Sequence, residues 1–85
     1  MILAFDDHGW DDYLWWQEHD RTTLKRVNRL IRDALRDPAG GIGKPELLRY
    51  GAPDTWSRRI TEEHRLVYRV VGDTLIVIAA RFHYV

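Results

Sequence analysis

Hydrophobic positions follow a helical period in the first half of the chain. The apolar run Ile2–Phe5 is stopped by Asp6 and Asp7, which predicts a short strand followed by a helix that one of these aspartates caps. A second helix is predicted from Asp20, its cap, to about Arg36, because apolar side chains recur every three or four residues. Its apolar stripe comprises Leu24, Val27, Leu30, Ile31, Ala34 and Leu35.

The second half of the chain has the alternation typical of strands. Residues 38–45 contain three glycines and two prolines and predict a loop, with a short strand over 46–50 after it. Three longer strands are predicted at 56–61, 65–71 and 75–82. The expected architecture is α+β, with two N-terminal helices packed on one face of a mostly antiparallel sheet. Residues 1–85 are expected to form a single domain, because neither half has enough apolar surface to fold alone.

Strand parity predicts which side chains share a face of the sheet. Odd-length connections at 62–64 and 72–74 place one set toward the helices, namely Trp56, Ile60, Leu66, Tyr68, Val70, Ile76, Ile78 and Ala80. The opposite face then carries Arg59, Arg65, Arg69, Arg81 and His83. A two-residue turn at Gly72-Asp73 would reverse this assignment for the last strand. Neighbouring like charges are destabilising in a sheet, so an arginine-rich face indicates that phosphates are bound there.

Charge is segregated along the chain although the formal net charge is zero. Residues 1–20 carry six acidic side chains and no Lys or Arg, whereas residues 21–85 carry thirteen bases and seven acids. A neutral total therefore does not exclude a nucleic-acid ligand. The chain has no Cys, no apolar run long enough to span a bilayer and no signal-peptide pattern, which predicts a cytoplasmic, metal-free domain without a cofactor or membrane contact.

Three residue types in the second half are together sufficient for RNA cleavage. Glu46 is a candidate general base for a ribose 2′-hydroxyl, and His83 is a candidate general acid because imidazole exchanges protons near neutral pH. Arg59 and Arg65 are candidates for holding the scissile phosphate. Each residue alone is typical of a solvated surface. Their combination indicates metal-free transesterification, in which the 2′-oxygen attacks and the 5′-oxygen leaves.

Other chemistries have weaker support in the sequence. The four histidines are scattered without metal-ligand spacing, and Ser57 lacks the context of a hydrolase nucleophile. The glycine-rich residues 40–45 match a phosphate-binding loop only loosely. An aromatic group in the first helix is either a base-stacking platform or part of the core, and helical spacing favours the core for Trp10, Tyr13, Trp15 and Trp16.

Several motifs resemble the YoeB toxins of the RelE/ParE superfamily. They are WDDYL at 10–14, GKPE at 43–46, WSRRITEEHRLVY at 56–68 and HY at 83–84, and the resemblance covers essentially the whole chain. It implies a microbial-RNase-like fold and an endoribonuclease of a type II toxin–antitoxin system. Such an enzyme cleaves mRNA in the ribosomal A site and leaves a 2′,3′-cyclic phosphate.

The resemblance also implies roles for individual residues. Glu46 matches the family's general base, His83 its general acid and Arg65 the arginine that stabilises the transition state. Tyr84 matches the terminal aromatic residue that orients the substrate. The phosphate-binding candidates are Lys44, Arg49, Arg59 and Arg81, with Arg49 standing where relatives often carry Lys.

Partners follow from the same resemblance. They are the 70S ribosome with its mRNA, a cognate antitoxin whose disordered tail folds on the toxin, and operator DNA reached only through the antitoxin complex. A homodimer is also compatible with the family. Two alternatives stay open: a non-catalytic subunit of this fold that acts as an antitoxin-bound corepressor, and a gyrase-poisoning toxin of the same superfamily. Relatives of the second kind lack this combination of Glu with a terminal His-Tyr pair.

Overall fold

The computed structural model describes residues 1–83, which form two helices and a single five-stranded sheet. In chain order the elements are β1 (Ile2–Phe5), α1 (Asp7–His19), α2 (Arg21–Arg36), β2 (Glu46–Leu47), β3 (Thr55–Arg59), β4 (Arg65–Val71) and β5 (Thr74–Ala79). The strand order is β1-β5-β4-β3-β2, with β1 parallel to β5 and the other three pairs antiparallel. The predicted α+β architecture with a mostly antiparallel sheet is confirmed.

Both helices begin at the aspartates that the sequence indicated. The Asp6 carboxylate accepts a hydrogen bond from the Gly9 N–H at 2.7 Å, and the Asp20 carboxylate accepts one from the Thr23 N–H at 3.0 Å. These bonds satisfy backbone donors that have no partner inside the first turn of a helix. Gly9 also permits close packing, since a Cβ at this position would lie 2.1 Å from the Val77 carbonyl oxygen of β5.

The core lies between the helices and one face of the sheet. The fully buried residues of the two layers are Val27, Leu30 and Ala34 from α2, and Leu66, Tyr68, Leu75 and Val77 from the sheet. Trp16 of α1 is also buried in this cluster, and Tyr13 and Trp15 are partly buried against it, as the helical spacing favoured. The prediction is wrong for Trp10, which is 46% exposed. Across residues 1–83, neither helix has the length and apolar composition needed to cross a membrane.

The predicted assignment of side chains to the two faces of the sheet is correct for β3 and β4 and wrong for most of β5. Val71 pairs with Thr74, so the connection is the two-residue turn Gly72-Asp73, and Gly72 supplies its φ of 57°. Leu75 and Val77 therefore face the helices in place of Ile76 and Ile78. A bulge follows, because Val67 pairs with Ala79 while Tyr68 pairs with Val77. The extra residue restores the predicted inward position of Ala80.

Three strands are shorter than the sequence pattern predicts. The strand expected over 56–61 comprises the five residues Thr55–Arg59. The strand expected over 46–50 comprises two residues, Glu46 and Leu47, and β5 ends at Ala79 instead of residue 82. Beyond β5 the prediction that Arg81 shares the face away from the helices is wrong. Its guanidinium lies 3.8 Å from the ring centroid of Trp15 on α1, because stacking on an aromatic face attracts the cation toward the helix side.

Candidate functional site

The face of the sheet turned away from the helices, here called the outer face, brings three of the predicted site residues together. Glu46 of β2 lies opposite Ser57 of β3. Arg59 lies two residues beyond Ser57 on the same face, and it is directly opposite Arg65 of β4. Standard strand spacing and rise put the Cα atoms of Glu46 and Arg65 about 12 Å apart. The carboxylate and the two guanidinium groups thus border one patch of surface.

Glu46 lies in a cleft of about 230 Å³ lined by Lys44, Pro45, Glu46, Ser57 and Arg59. The loop before β2 is anchored to β3, because the Arg59 N–H donates to the Gly43 carbonyl at 2.7 Å. Lys44 adopts a φ of 52°, an uncommon conformation for a residue with a side chain. This backbone geometry places a lysine, a glutamate and an arginine around one small opening.

Arg65 and His83 meet at a single carbonyl group. The Arg65 Nη1 donates to the carbonyl oxygens of Thr61 and Glu62 at 2.7 and 3.0 Å, and His83 Nε2 lies 3.2 Å from the same Glu62 oxygen. The two predicted residues therefore lie next to each other, at the connection between β3 and β4. Within residues 1–83, neither Arg59 nor Arg65 forms an ion pair. Arg59 is exposed, whereas Arg65 is partly buried.

The remaining predicted residues lie farther from this patch or beyond the described chain. Arg49 is exposed in the turn region after β2, and Arg81 packs between Trp15 and Phe82. Tyr84 lies outside the described residues. Among residues 1–83, no group of three or more His, Asp or Glu side chains is arranged to hold a metal ion.

Arg58 is a buried residue that the sequence reasoning did not single out. Its Nε donates to the Tyr68 hydroxyl at 2.9 Å, and its Nη1 donates to the Asp33 carboxylate and the Ile42 carbonyl. Its Nη2 donates to two further carbonyls of the loop, those of Asp37 and Gly40. The side chain is completely buried and cross-links α2, β4 and the loop that leads to Glu46. Arg58 alternates in step with Trp56 and Ile60, which the sequence predicts to face the helices. The same alternation would have predicted that Arg58 points toward the core.

Tyr68 and Asp33 complete this buried network. Burial raises the pKa of the Tyr68 hydroxyl, which stays protonated and donates to the Pro38 carbonyl at 2.6 Å while it accepts from Arg58. The Ile42 N–H, and secondarily Arg36, lower the pKa of the Asp33 carboxyl below its usual range. The carboxylate form of Asp33 is therefore stabilised by folding.

Acid should destabilise the chain in part through Asp33. Because its pKa is lowered in the folded state, its contribution is fully present above the unfolded value of about 3.9 and is lost as the pH falls toward the folded value. We expect Asp33→Asn to lower the urea midpoint at pH 7 and to flatten its decline below pH 4. Unfolding curves at several pH values measure this. Asp54→Asn, at an exposed turn position, is the matched control, and an equal pH dependence of D33N and wild type would contradict the assignment.

The fold and the outer face define a class of protein. Two helices against one face of a five-stranded sheet is the arrangement of RelE-type toxins from bacterial toxin–antitoxin systems. A family model described as YoeB-like toxin of bacterial type II toxin-antitoxin system matches residues 5–84. The chain belongs to this family of YoeB toxins.

Individual relatives agree along the full chain. The toxin YoeB of Escherichia coli strain K12 is 52% identical over 84 residues, which cover 99% of this chain and 100% of the relative. A solved YoeB/ParE toxin from Agrobacterium tumefaciens superposes with a TM-score of 0.93 at 50% identity and covers 99% of this chain and 100% of its own. The YoeB–YefM complex from Staphylococcus aureus gives a TM-score of 0.87 at 33% identity, with 99% and 98% covered.

Proposed function

We propose that this toxin is a ribosome-dependent mRNA endoribonuclease that cleaves in the A site. The observation that carries the proposal is the convergence of Arg65 and His83 at the Glu62 carbonyl, with Arg65 on the face that also bears Glu46 and Arg59. A base, an acid and two unpaired cations then surround a single patch. Side chains reaching inward from Cα atoms about 12 Å apart can approach both sides of one phosphodiester.

The proposed reaction is an internal transesterification. The Glu46 carboxylate takes the proton of the ribose 2′-hydroxyl, and the 2′-oxygen attacks the adjacent phosphorus. Arg65 and Arg59 neutralise the charge that develops on the phosphoryl oxygens. The bond from phosphorus to the 5′-oxygen breaks, and His83 imidazolium donates a proton to that oxygen. The products are a 2′,3′-cyclic phosphate and a 5′-hydroxyl, and water restores the proton states of Glu46 and His83.

The ribosome has a defined part in this proposal. Glu46, Arg59 and His83 are all exposed, and the cleft beside Glu46 is small and open, so the isolated protein has little surface with which to align an RNA chain. An A-site codon held by the ribosome supplies that alignment, which accounts for a large share of catalytic power in enzymes generally. We also propose that Lys44, Arg49 and Arg81 contact phosphates and that Tyr84 orients the substrate. The exposed bases of α2 are proposed to contact phosphates as well; they are Arg21, Lys25, Arg29, Arg32 and Arg36.

An antitoxin is the second proposed partner. A Staphylococcus aureus relative has been solved in complex with YefM, and another structure from the same organism is a YoeB dimer. An acidic antitoxin tail that folds on binding would complement the unpaired Arg59 and Arg65, and it would cover the outer face. We propose that operator DNA is bound only through this complex and that the chain also forms a homodimer.

The function is tested by the products of cleavage on the ribosome. Primer extension on a ribosome-bound mRNA first maps the cut, and the mRNA is then made with a single 2′-deoxynucleotide on the 5′ side of that bond. We expect the normal mRNA to yield a 2′,3′-cyclic phosphate and a 5′-hydroxyl, and the deoxy mRNA to stay intact, because its nucleophile is missing. An mRNA with the deoxynucleotide several positions upstream is the control and should be cut normally.

Two results would overturn the proposal. Cleavage at the deoxynucleotide would show that the 2′-oxygen is not the nucleophile. Absence of any cleavage, together with intact antitoxin binding and operator repression, would favour the non-catalytic corepressor.

A further inference from the structure

The segment after β5 is held to helix α1 by two hydrogen bonds at Ala80. The Ala80 N–H donates to the Asp12 carboxylate at 2.8 Å, and the Ala80 carbonyl accepts from the Trp16 Nε1 at 2.7 Å. Both bonds are buried and both side-chain partners belong to α1. The chain is therefore fixed in place three residues before His83.

Phe82 then turns the chain through an uncommon conformation. Its φ is 57°, which is unfavourable for a residue with a side chain and persists only where surrounding contacts enforce it. The Phe82 carbonyl accepts from the Arg65 N–H at 3.0 Å, and the Phe82 N–H donates to Nδ1 of His64 at 2.8 Å. A backbone N–H can donate only to an unprotonated ring nitrogen, so the His64 imidazole carries its proton on Nε2.

The His64 ring is itself oriented by aromatic neighbours. Trp16 meets it edge to face, with ring centroids 4.9 Å apart, and the Phe82 ring centroid lies 5.3 Å from that of His64. The adjacent Arg81 guanidinium stacks on both Trp15 and Phe82, at 3.8 and 4.7 Å from the ring centroids. These contacts leave the imidazole few alternative orientations, so its Nδ1 is preorganised to receive the Phe82 N–H.

We propose that His64 is a positioning residue for His83, and this inference rests on the proposed function. The bond to the Phe82 N–H maintains the turn that directs His83 toward the Glu62 carbonyl and Arg65. Loss of the acceptor would release Phe82 into an ordinary conformation and displace the next residue. Because His83 acts on the leaving oxygen alone, the defect should be confined to departure of that group and should spare attack by the 2′-oxygen.

The experiment compares two leaving groups at the mapped cleavage site on the ribosome. One mRNA has the natural 5′-oxygen at the scissile phosphate, and the other has a bridging 5′-sulfur. A thiolate departs without a proton, since thiols are far more acidic than alcohols. The acid is therefore needed for the oxygen substrate and dispensable for the sulfur substrate.

Four variants test the positioning role of His64. His64→Leu should slow single-turnover cleavage of the oxygen substrate about 10- to 100-fold and should match wild type on the sulfur substrate. His64→Asn, whose side-chain oxygen replaces the Nδ1 acceptor, should recover most of the oxygen rate. His83→Gln should repeat the pattern of H64L. His19→Leu is the control, because His19 stacks on Trp15 and makes no bond to residues 80–83, and it should cut both substrates normally.

Different results would contradict the positioning role of His64 and the general-acid role of His83. If H64L is equally slow on both substrates, or normal on both while H83Q is impaired on oxygen, the positioning role is wrong and the acid role of His83 stands. If H83Q has no defect on oxygen, the acid assignment in the proposed function is wrong. A readout independent of activity is nitrogen NMR of the His64 ring together with Phe82 amide exchange. A proton on Nδ1, or unchanged Phe82 protection in H64L, would refute the hydrogen bond itself.

Discussion

Replacing Glu46 by Gln is expected to slow the cleavage of ribosome-bound mRNA by about 10²- to 10⁴-fold, the usual contribution of a general base. The amide has the shape of the carboxylate and cannot accept the 2′-hydroxyl proton. Glu46 is exposed on a two-residue edge strand, so the substitution should leave the fold intact. Single-turnover rates at saturating ribosome complex measure the chemical step directly.

The matched control for this variant is Glu18→Gln. Glu18 is an exposed carboxylate on α1, on the far side of the sheet from the outer face. It should cleave at the wild-type rate. A rate for E46Q within a few-fold of E18Q would show that Glu46 does not take the proton. If instead E46Q loses affinity for the ribosome complex and keeps its maximal rate, Glu46 contributes to binding alone.

Replacing Arg58 by Met is expected to cost about 3–5 kcal/mol of the free energy of unfolding, the range measured when one partner of a buried ion pair is removed. The change leaves the Asp33 carboxylate, the Tyr68 hydroxyl and several loop carbonyls without their shared donor. Small domains have total stabilities of about 5–15 kcal/mol, so R58M should lose a large share of the free energy of unfolding. Urea unfolding followed by tryptophan fluorescence measures the loss.

Arg59, the next residue in the chain, provides the control for the destabilisation by R58M. Arg59 is exposed on the opposite face of the same strand, and Arg59→Met should change stability by less than about 0.5 kcal/mol. Tyr68→Phe, which removes one acceptor and one donor from the network, should cost about 1 kcal/mol. Equal destabilisation by R58M and R59M would mean that the buried hydrogen bonds contribute nothing specific.

Much of this fold can be predicted from helix-capping residues and from the periodicity of hydrophobic positions. Both helix starts follow from capping aspartates, and the inward faces of α2, β3 and β4 follow from periodicity, since these signals lie within a few neighbouring residues. The register of β5 was not predictable in the same way. It depends on whether the turn at Gly72 holds two or three residues and on a bulge near Ile78, and both are settled by packing against distant strands.

In the candidate site, too, some positions follow from local sequence and others depend on contacts between distant residues. Alternation along β3 and β4 is enough to predict that Arg59 and Arg65 share one face, and the two residues are paired across these strands. Arg81 was misplaced, because the stacking on Trp15 is a contact between residues 66 positions apart and leaves no periodic signal. The role of His64 was equally hidden: it lies in a connection between strands, and its partner is a backbone group of Phe82.

The parallel pairing of β1 with β5 determines how the proposed activity depends on folding. Ile2 lies opposite Thr74, and the α1 side chains of Asp12 and Trp16 hold Ala80, so the chain before His83 is fixed by residues near the opposite end of the sequence. Such non-local contacts form late and break together. A partly folded molecule would hold Glu46 and Arg65 on the two strands that flank β3 but would leave His83 unplaced. Cleavage activity should therefore be lost in parallel with the cooperative unfolding of the whole molecule. A folding intermediate, which lacks a correctly placed His83, should not cleave ribosome-bound mRNA.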